Sequence, residues 1–200
     1  MKKTSILSAL LASLIGCSTG FAQDAPAQQR FTTSGFQFTV GLTGAQSTIE
    51  EGESATTGIG ISLHAGYGIT RRLSLFAGGT GTTMESGKYA LAHVDLGGRF
   101  LLSEAQLRPY LQAGWTGRLA REEIPEHFDD EVIQIRGAGP SVGAGVEYGV
   151  SPEAAVDVGL VYTGGDYTEG KITKDPWTDL GSDAFGARSL RFTVGVTARL

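Results

Sequence analysis

Residues 190–200 read LRFTVGVTARL, and every second one is apolar: Leu190, Phe192, Val194, Val196, Ala198 and Leu200. Arg191, Thr193, Gly195, Thr197 and Arg199 stand between them. A period of two marks a strand, because successive side chains point to opposite faces of the pleat. A run of about ten such residues, apolar on one face and polar on the other, is what a strand needs to cross a bilayer.

The same alternation recurs back along the chain. A first strand, about Gly35 to Gly44, sets Phe36, Phe38, Val40 and Leu42 against Gln37, Thr39, Gly41 and Thr43. A second, about Gly58 to Ile69, puts Ile59, Ile61, Leu63, Ala65, Tyr67 and Ile69 opposite Ser62, His64 and four glycines. The third, Leu73 to about Thr82, is the least regular. Its phase turns Phe76 inward, and a bulge is expected there to re-aim it. In the fourth, Ala92, Val94, Leu96 and Phe100 face out while His93, Asp95, Gly97 and Arg99 face in. The fifth sets Leu111, Ala113, Trp115 and Leu119 against Tyr110, Gln112, Gly114, Thr116 and Arg118. The sixth carries Val142, Ala144, Val146 and Tyr148 outward and Glu147 inward, with Pro140 expected near its beginning because proline lacks the ladder donor. The seventh carries Val156, Val158, Leu160 and Tyr162 outward and Asp157 inward. Short polar turns separate some strands, as at Thr70-Arg71-Arg72, Ser103 to Pro109 and Ser151-Pro152-Glu153. Arg121 to Gly137 and Gly164 to Ala187 read as long loops.

These residues predict an all-β chain of eight antiparallel strands, closed as an up-and-down transmembrane barrel over 34–200. The closing strand resembles that of bacterial outer-membrane β-barrels, with Leu200 where that family most often has an aromatic residue. The whole pattern is similar to the small OmpA/OmpX-like, porin-like barrels. That resemblance implies recognition by the barrel-assembly machinery through the C-terminal strand, contact with outer-membrane lipid and lipopolysaccharide, and a monomer. It also places both termini in the periplasm, so that three of the four outer connections are the long polar ones. A non-enzymatic role in envelope structure or surface interaction follows, with a narrow channel or a lipopolysaccharide-modifying enzyme as alternatives. A soluble ligand-binding barrel fits less well, because the face opposite the apolar one carries charges and glycine.

The first 22 residues read as a secretory signal: Lys2 and Lys3, an apolar segment from Ile6 to Ile15, and small residues in Gly20-Phe21-Ala22. Leu14-Ile15-Gly16-Cys17 also fits a lipoprotein cleavage motif, which would lipidate Cys17. Residues 23–33 form a polar periplasmic lead-in. Export from a Gram-negative cytoplasm to the outer membrane is the expectation under either cleavage. Losing Lys2 and Lys3 leaves 14 basic residues against 21 acidic, a charge of −7. Such a balance, with a pI of about 5.2, argues against nucleic acid as a partner. Cys17 is the single cysteine, so no disulfide framework exists.

The inward faces hold Asp95, Arg99, Arg118, Glu147, Asp157 and Arg191. An eight-stranded barrel is just wide enough for its side chains to fill, and buried charges need partners, so these are expected to pair across the lumen. Glu147 is expected to meet Arg99, Arg118 or Arg191. Ser62 and His64 share one face, and Asp95 or Glu147 could orient the imidazole, but an inward histidine is out of reach of lipid. No catalytic residue, cofactor or metal site is assigned. Fifteen of the 21 acidic residues fall in the expected outer connections, where Phe128, Trp177 and Phe185 are the candidate contacts for a surface partner.

Overall fold

The computed structural model describes residues 34–48, 55–85, 89–124, 131–172, 177–179 and 185–200. The elements are β1 (Gly35–Thr48), β2 (Thr56–Gly68), β3 (Leu73–Met84), β4 (Tyr89–Leu101), β5 (Leu107–Ile124), β6 (Glu131–Ser151), β7 (Ala154–Thr163), β8 (Asp166–Ile172), β9 (Thr178–Asp179), β10 (Phe185–Gly186) and β11 (Arg188–Arg199). Each of β1 to β6 pairs antiparallel with the next in sequence. β11 then pairs with both β7 and β1. Eight long strands therefore close on themselves, and the main wall has no free edge for another chain to add to. The β1–β11 seam runs in unbroken register from Gln37↔Arg199 to Thr48↔Arg188. Thr39–Thr197 (2.8 Å) and Thr43–Thr193 (3.0 Å) hydroxyl pairs reinforce it from inside.

The polarity is the reverse of a water-soluble protein. Leu42, Ile59, Ile61, Leu63, Val94, Leu96 and Val142 lie on the outer surface, while Arg108, Glu147, Thr116 and His93 are almost wholly buried. Ten residues of strand, rising about 3.3 Å each and tilted by about 40°, span roughly 25 Å, the height of a lipid-facing apolar band. The outward residues from Leu190 to Leu200 on β11 and its neighbour fill that height. Phe36 and Tyr67, with ring centroids 5.1 Å apart, lie near the turn end of the band.

Three expectations from the sequence need correction. β3 pairs with β2 and β4 in unbroken register, so no bulge forms at Phe76. The ring points inward opposite Gly66 and Gly97, where small residues leave it room. Pro140 lies in the middle of β6, not at its start. It falls where β6 changes partner, from Ala138↔Asp166 on β8 to Ser141↔Thr163 on β7, so its missing donor costs no regular rung. Among their described residues the two expected long loops are largely strand: β5 and β6 continue to Ile124 and Glu131, and β8 carries the wall on from β7 after a kink at Gly164-Gly165. Gly165 has φ +130°, a backbone state that side chains disfavour.

Candidate functional site

The interior is a stack of polar contacts. At the turn end, Glu147 on β6 takes the guanidinium groups of both Arg108 on β5 and Arg199 on β11 through one carboxylate oxygen. All three are buried. Next, Asp157 on β7 accepts from Arg99 Nη1 at 2.8 Å and from the Tyr110 hydroxyl at 3.1 Å. The Arg99 guanidinium also lies 4.0 Å from the Tyr110 ring centroid and donates to Gln112 at 3.3 Å. Gly145 and Gly159 make room for Tyr110, because a Cβ on either would collide with its hydroxyl.

Higher up, Asp95 on β4 is held by both terminal nitrogens of Arg191 on β11, each at 2.7 Å, and by Thr116 Oγ1 at 2.7 Å. His64 Nε2 lies 3.5 Å from the same carboxylate. β4 and β11 are opposite one another around the ring, so this pair braces the full diameter. Between the Asp95 and Asp157 levels lies a cavity of about 50 Å³, lined by His64, Thr39, Arg99, Gln112 and Thr193 among others. That is room for a few waters.

The far end is closed differently. Ala45, Met84, Leu91, Ala120, Tyr167 and Ala187 form a buried apolar cluster, with Tyr89, Ile135 and Phe185 packed around it. Beneath it His93 Nε2 meets Ser189 Oγ at 3.2 Å. Arg118 donates to the Ala187 carbonyl at 2.9 Å and sits 5.2 Å from the Tyr167 ring centroid. Burial raises the Tyr167 hydroxyl to about 12, so it stays neutral in this cap.

The six lumen residues named from the sequence all line the interior. Asp95 meets Arg191 and Asp157 meets Arg99. Glu147 meets none of Arg99, Arg118 or Arg191; its partners are Arg108 and Arg199. The reason is a strand boundary. β5 begins at Leu107, inside the stretch the sequence reads as a connection, and this places Arg108 on the inward face. Alternation from Leu107 through Gln112 was the available signal. Ser62 Oγ makes no bond to His64; it is buried and unpartnered among the described atoms. The described residues hold no group of three or more metal-ligating side chains.

The loop candidates scatter. Phe128 lies outside the described residues. Phe185 packs inward on Tyr167, with centroids 5.6 Å apart, and is therefore part of the cap instead of a surface contact. Trp177 lies on the outer wall, beside Arg136 (4.3 Å) and Lys171 (4.9 Å).

A closed eight-stranded barrel, apolar outside and ion-paired within, defines a transmembrane β-barrel protein with a filled lumen. Residues 9–199 match the outer membrane protein beta-barrel domain, and the chain belongs to that family. Family membership places it in the outer membrane. Among solved structures it is similar to Neisserial surface protein A (20% identity, 84% of this chain and 98% of that one, TM-score 0.64). It is also similar to Ail, the attachment invasion locus protein of Yersinia pestis (14%, 84% and 99%, TM-score 0.54), and to OprG from Pseudomonas aeruginosa (10%, 86% and 99%, TM-score 0.55). At these identities the likeness is one of fold. No curated protein matches the chain.

Proposed function

We propose that the protein is a non-conducting, non-enzymatic outer-membrane barrel whose role is envelope structure or surface interaction through its outer connections. One observation carries this reading: the lumen is closed at both ends. Arg108, Glu147 and Arg199 fill the turn end, and the Met84–Leu91–Tyr167 cluster fills the other. A path for solutes would have to break buried ion pairs at one end and wet an apolar plug at the other.

The short turns face the periplasm and the long connections face outward. Function tends to sit on such connections, held by a rigid scaffold. Their acidic residues suit a basic partner. The Ser62–His64 pair does not support catalysis, because Ser62 is 2% exposed and its Oγ makes no bond to His64. Export through residues 1–22, insertion by the barrel-assembly machinery through β11, and a monomeric state complete the proposal.

Planar-bilayer recording of the refolded protein tests closure, and a silent trace is expected. Stable stepped currents would restore the channel reading. Shortening the segments around 125–130 and 173–184 is expected to leave heat-modifiable migration intact while removing any cell-surface binding. Binding that survives in those variants but is lost in His64→Ala would move function to the lumen.

A further inference from the structure

The apolar cap joins the wall where β10 meets β11. Ala187 is part of the cap, Phe185 packs on it, and Ser189 is the first buried residue of β11. Bonds outside the regular ladder hold this junction. The Ala187 N–H donates to the Gly165 carbonyl at 2.8 Å, and Arg118 donates to the Ala187 carbonyl at 2.9 Å. His93 Nε2 meets Ser189 Oγ at 3.2 Å. Two of these tethers rise from beneath the cap and stand side by side, because register sets His93 of β4 opposite Arg118 of β5.

The charges at this level do not balance. Arg118 is 4% exposed, pairs with no carboxylate among the described residues, and leaves Nε and Nη2 without an acceptor. The charged groups that face His93 are Arg118 from β5, Arg191 from β11 and Asp95 on its own strand. Thr80, opposite it on β3, and Tyr167 in the cap are neutral. Asp95 is thus the single carboxylate, and both terminal nitrogens of Arg191 already occupy it. The His93 ring is buried, and its Nδ1 has no partner. A neutral imidazole is tolerated there. An imidazolium adds a third cation beside two guanidinium groups, out of reach of water while the cap is shut. Opening the junction hydrates His93 and Arg118 together. We propose that the cap is an acid-released lid: protonation of His93 frees the β10–β11 junction and opens the outer mouth down to the Asp95–Arg191 level. The inference rests on the closed lumen argued above. Arg108, Glu147 and Arg199 keep the turn end shut, so no through path forms.

Hydrogen exchange of the protein refolded into phosphatidylcholine vesicles tests the lid. The readout is protection of the Ala187 amide, corrected for the intrinsic pH dependence of exchange. An imidazole in water protonates below about pH 6.5, and one proton shifts an equilibrium by at most about tenfold per pH unit. Ala187 protection is therefore expected to fall by up to about tenfold per unit from roughly pH 6 to roughly pH 4. The Val194 amide, in the β1–β11 seam, should keep its protection over that range. His93→Gln should flatten the Ala187 response. Ser189→Ala, which cuts the tether and leaves the imidazole, should lower protection at every pH and retain the slope. A pH response that survives His93→Gln, or loss at Val194 in step with Ala187, would overturn the lid. Bilayer recording near neutral pH separates the two ideas. Currents there defeat the closed-lumen reading; silence together with pH-independent protection at Ala187 defeats the lid alone.

Discussion

Replacing Asp95 by alanine tests the interior most directly. The carboxylate is 6% exposed and accepts two 2.7 Å bonds from Arg191 and one from Thr116. Its removal leaves Arg191, itself 3% exposed, with only two 3.4 Å contacts to the Thr80 and Thr163 hydroxyls. Charge-assisted bonds are each worth about 1.5–3 kcal/mol net, but summing them counts the same desolvation twice. The relevant figure is the cost of stranding a buried charge, about 3–5 kcal/mol. That is two to nearly four decades in the unfolding constant. Urea unfolding of the protein in lipid vesicles, followed by tryptophan emission and checked by heat-modifiable migration, reads this directly. Adding Arg191→Met to Asp95→Ala removes the stranded charge and should recover most of the loss. If Asp95→Ala costs under about 1 kcal/mol, water reaches Arg191 and the lumen is not the packed interior argued for above. If the double variant is no better than the single one, the loss came from packing and not from charge.

Val194→Arg and Val158→Arg, on the outer wall, should each cost about 2–4 kcal/mol in the same titration, reflecting charge placed against lipid near the midplane. Gly159→Ala should cost about 1–3 kcal/mol by driving a methyl group into the Tyr110 hydroxyl; no loss would mean that Tyr110 moves freely. Because Tyr167 is held neutral up to about pH 12 while an unfolded tyrosine ionises near 10, its share of cap stability is full below pH 10 and is lost between 10 and 12. Tyr167→Phe should flatten that part of the stability–pH curve, and an unchanged slope would remove Tyr167 from the cap.

The barrel within the membrane was legible because lipid imposes one rule on every outward position. Val194, Val158 and Leu96 are apolar for that single reason, and a period of two follows. Above the membrane the rule inverts. Ile133 and Ile135 face in, while Gln134 and Arg136 face out to water. The alternation persists there with opposite polarity, so it looked like a charged loop. Glu169 and Lys171 on β8 hide their strand in the same way. Lumen facing was also legible, since parity alone decides it, but the pairing was not. Which carboxylate meets which arginine depends on shear between strands and on boundaries such as that at Leu107. Short-range patterning does not encode either.

The pairing across the diameter has a consequence for how the chain assembles. Asp95 and Arg191 are 96 residues apart, and Glu147 waits for Arg199 from the final strand. A ribbon of β1 to β7 alone therefore holds carboxylates that lack these guanidinium partners, and such a ribbon cannot shed its water without large cost. Non-local contacts of this length also make closure slow. The interior charges thus act as a completion check. Until β11 meets β1 the half-built sheet remains hydrated on its inner side, and dehydration of the core becomes favourable only in the step that seals the wall.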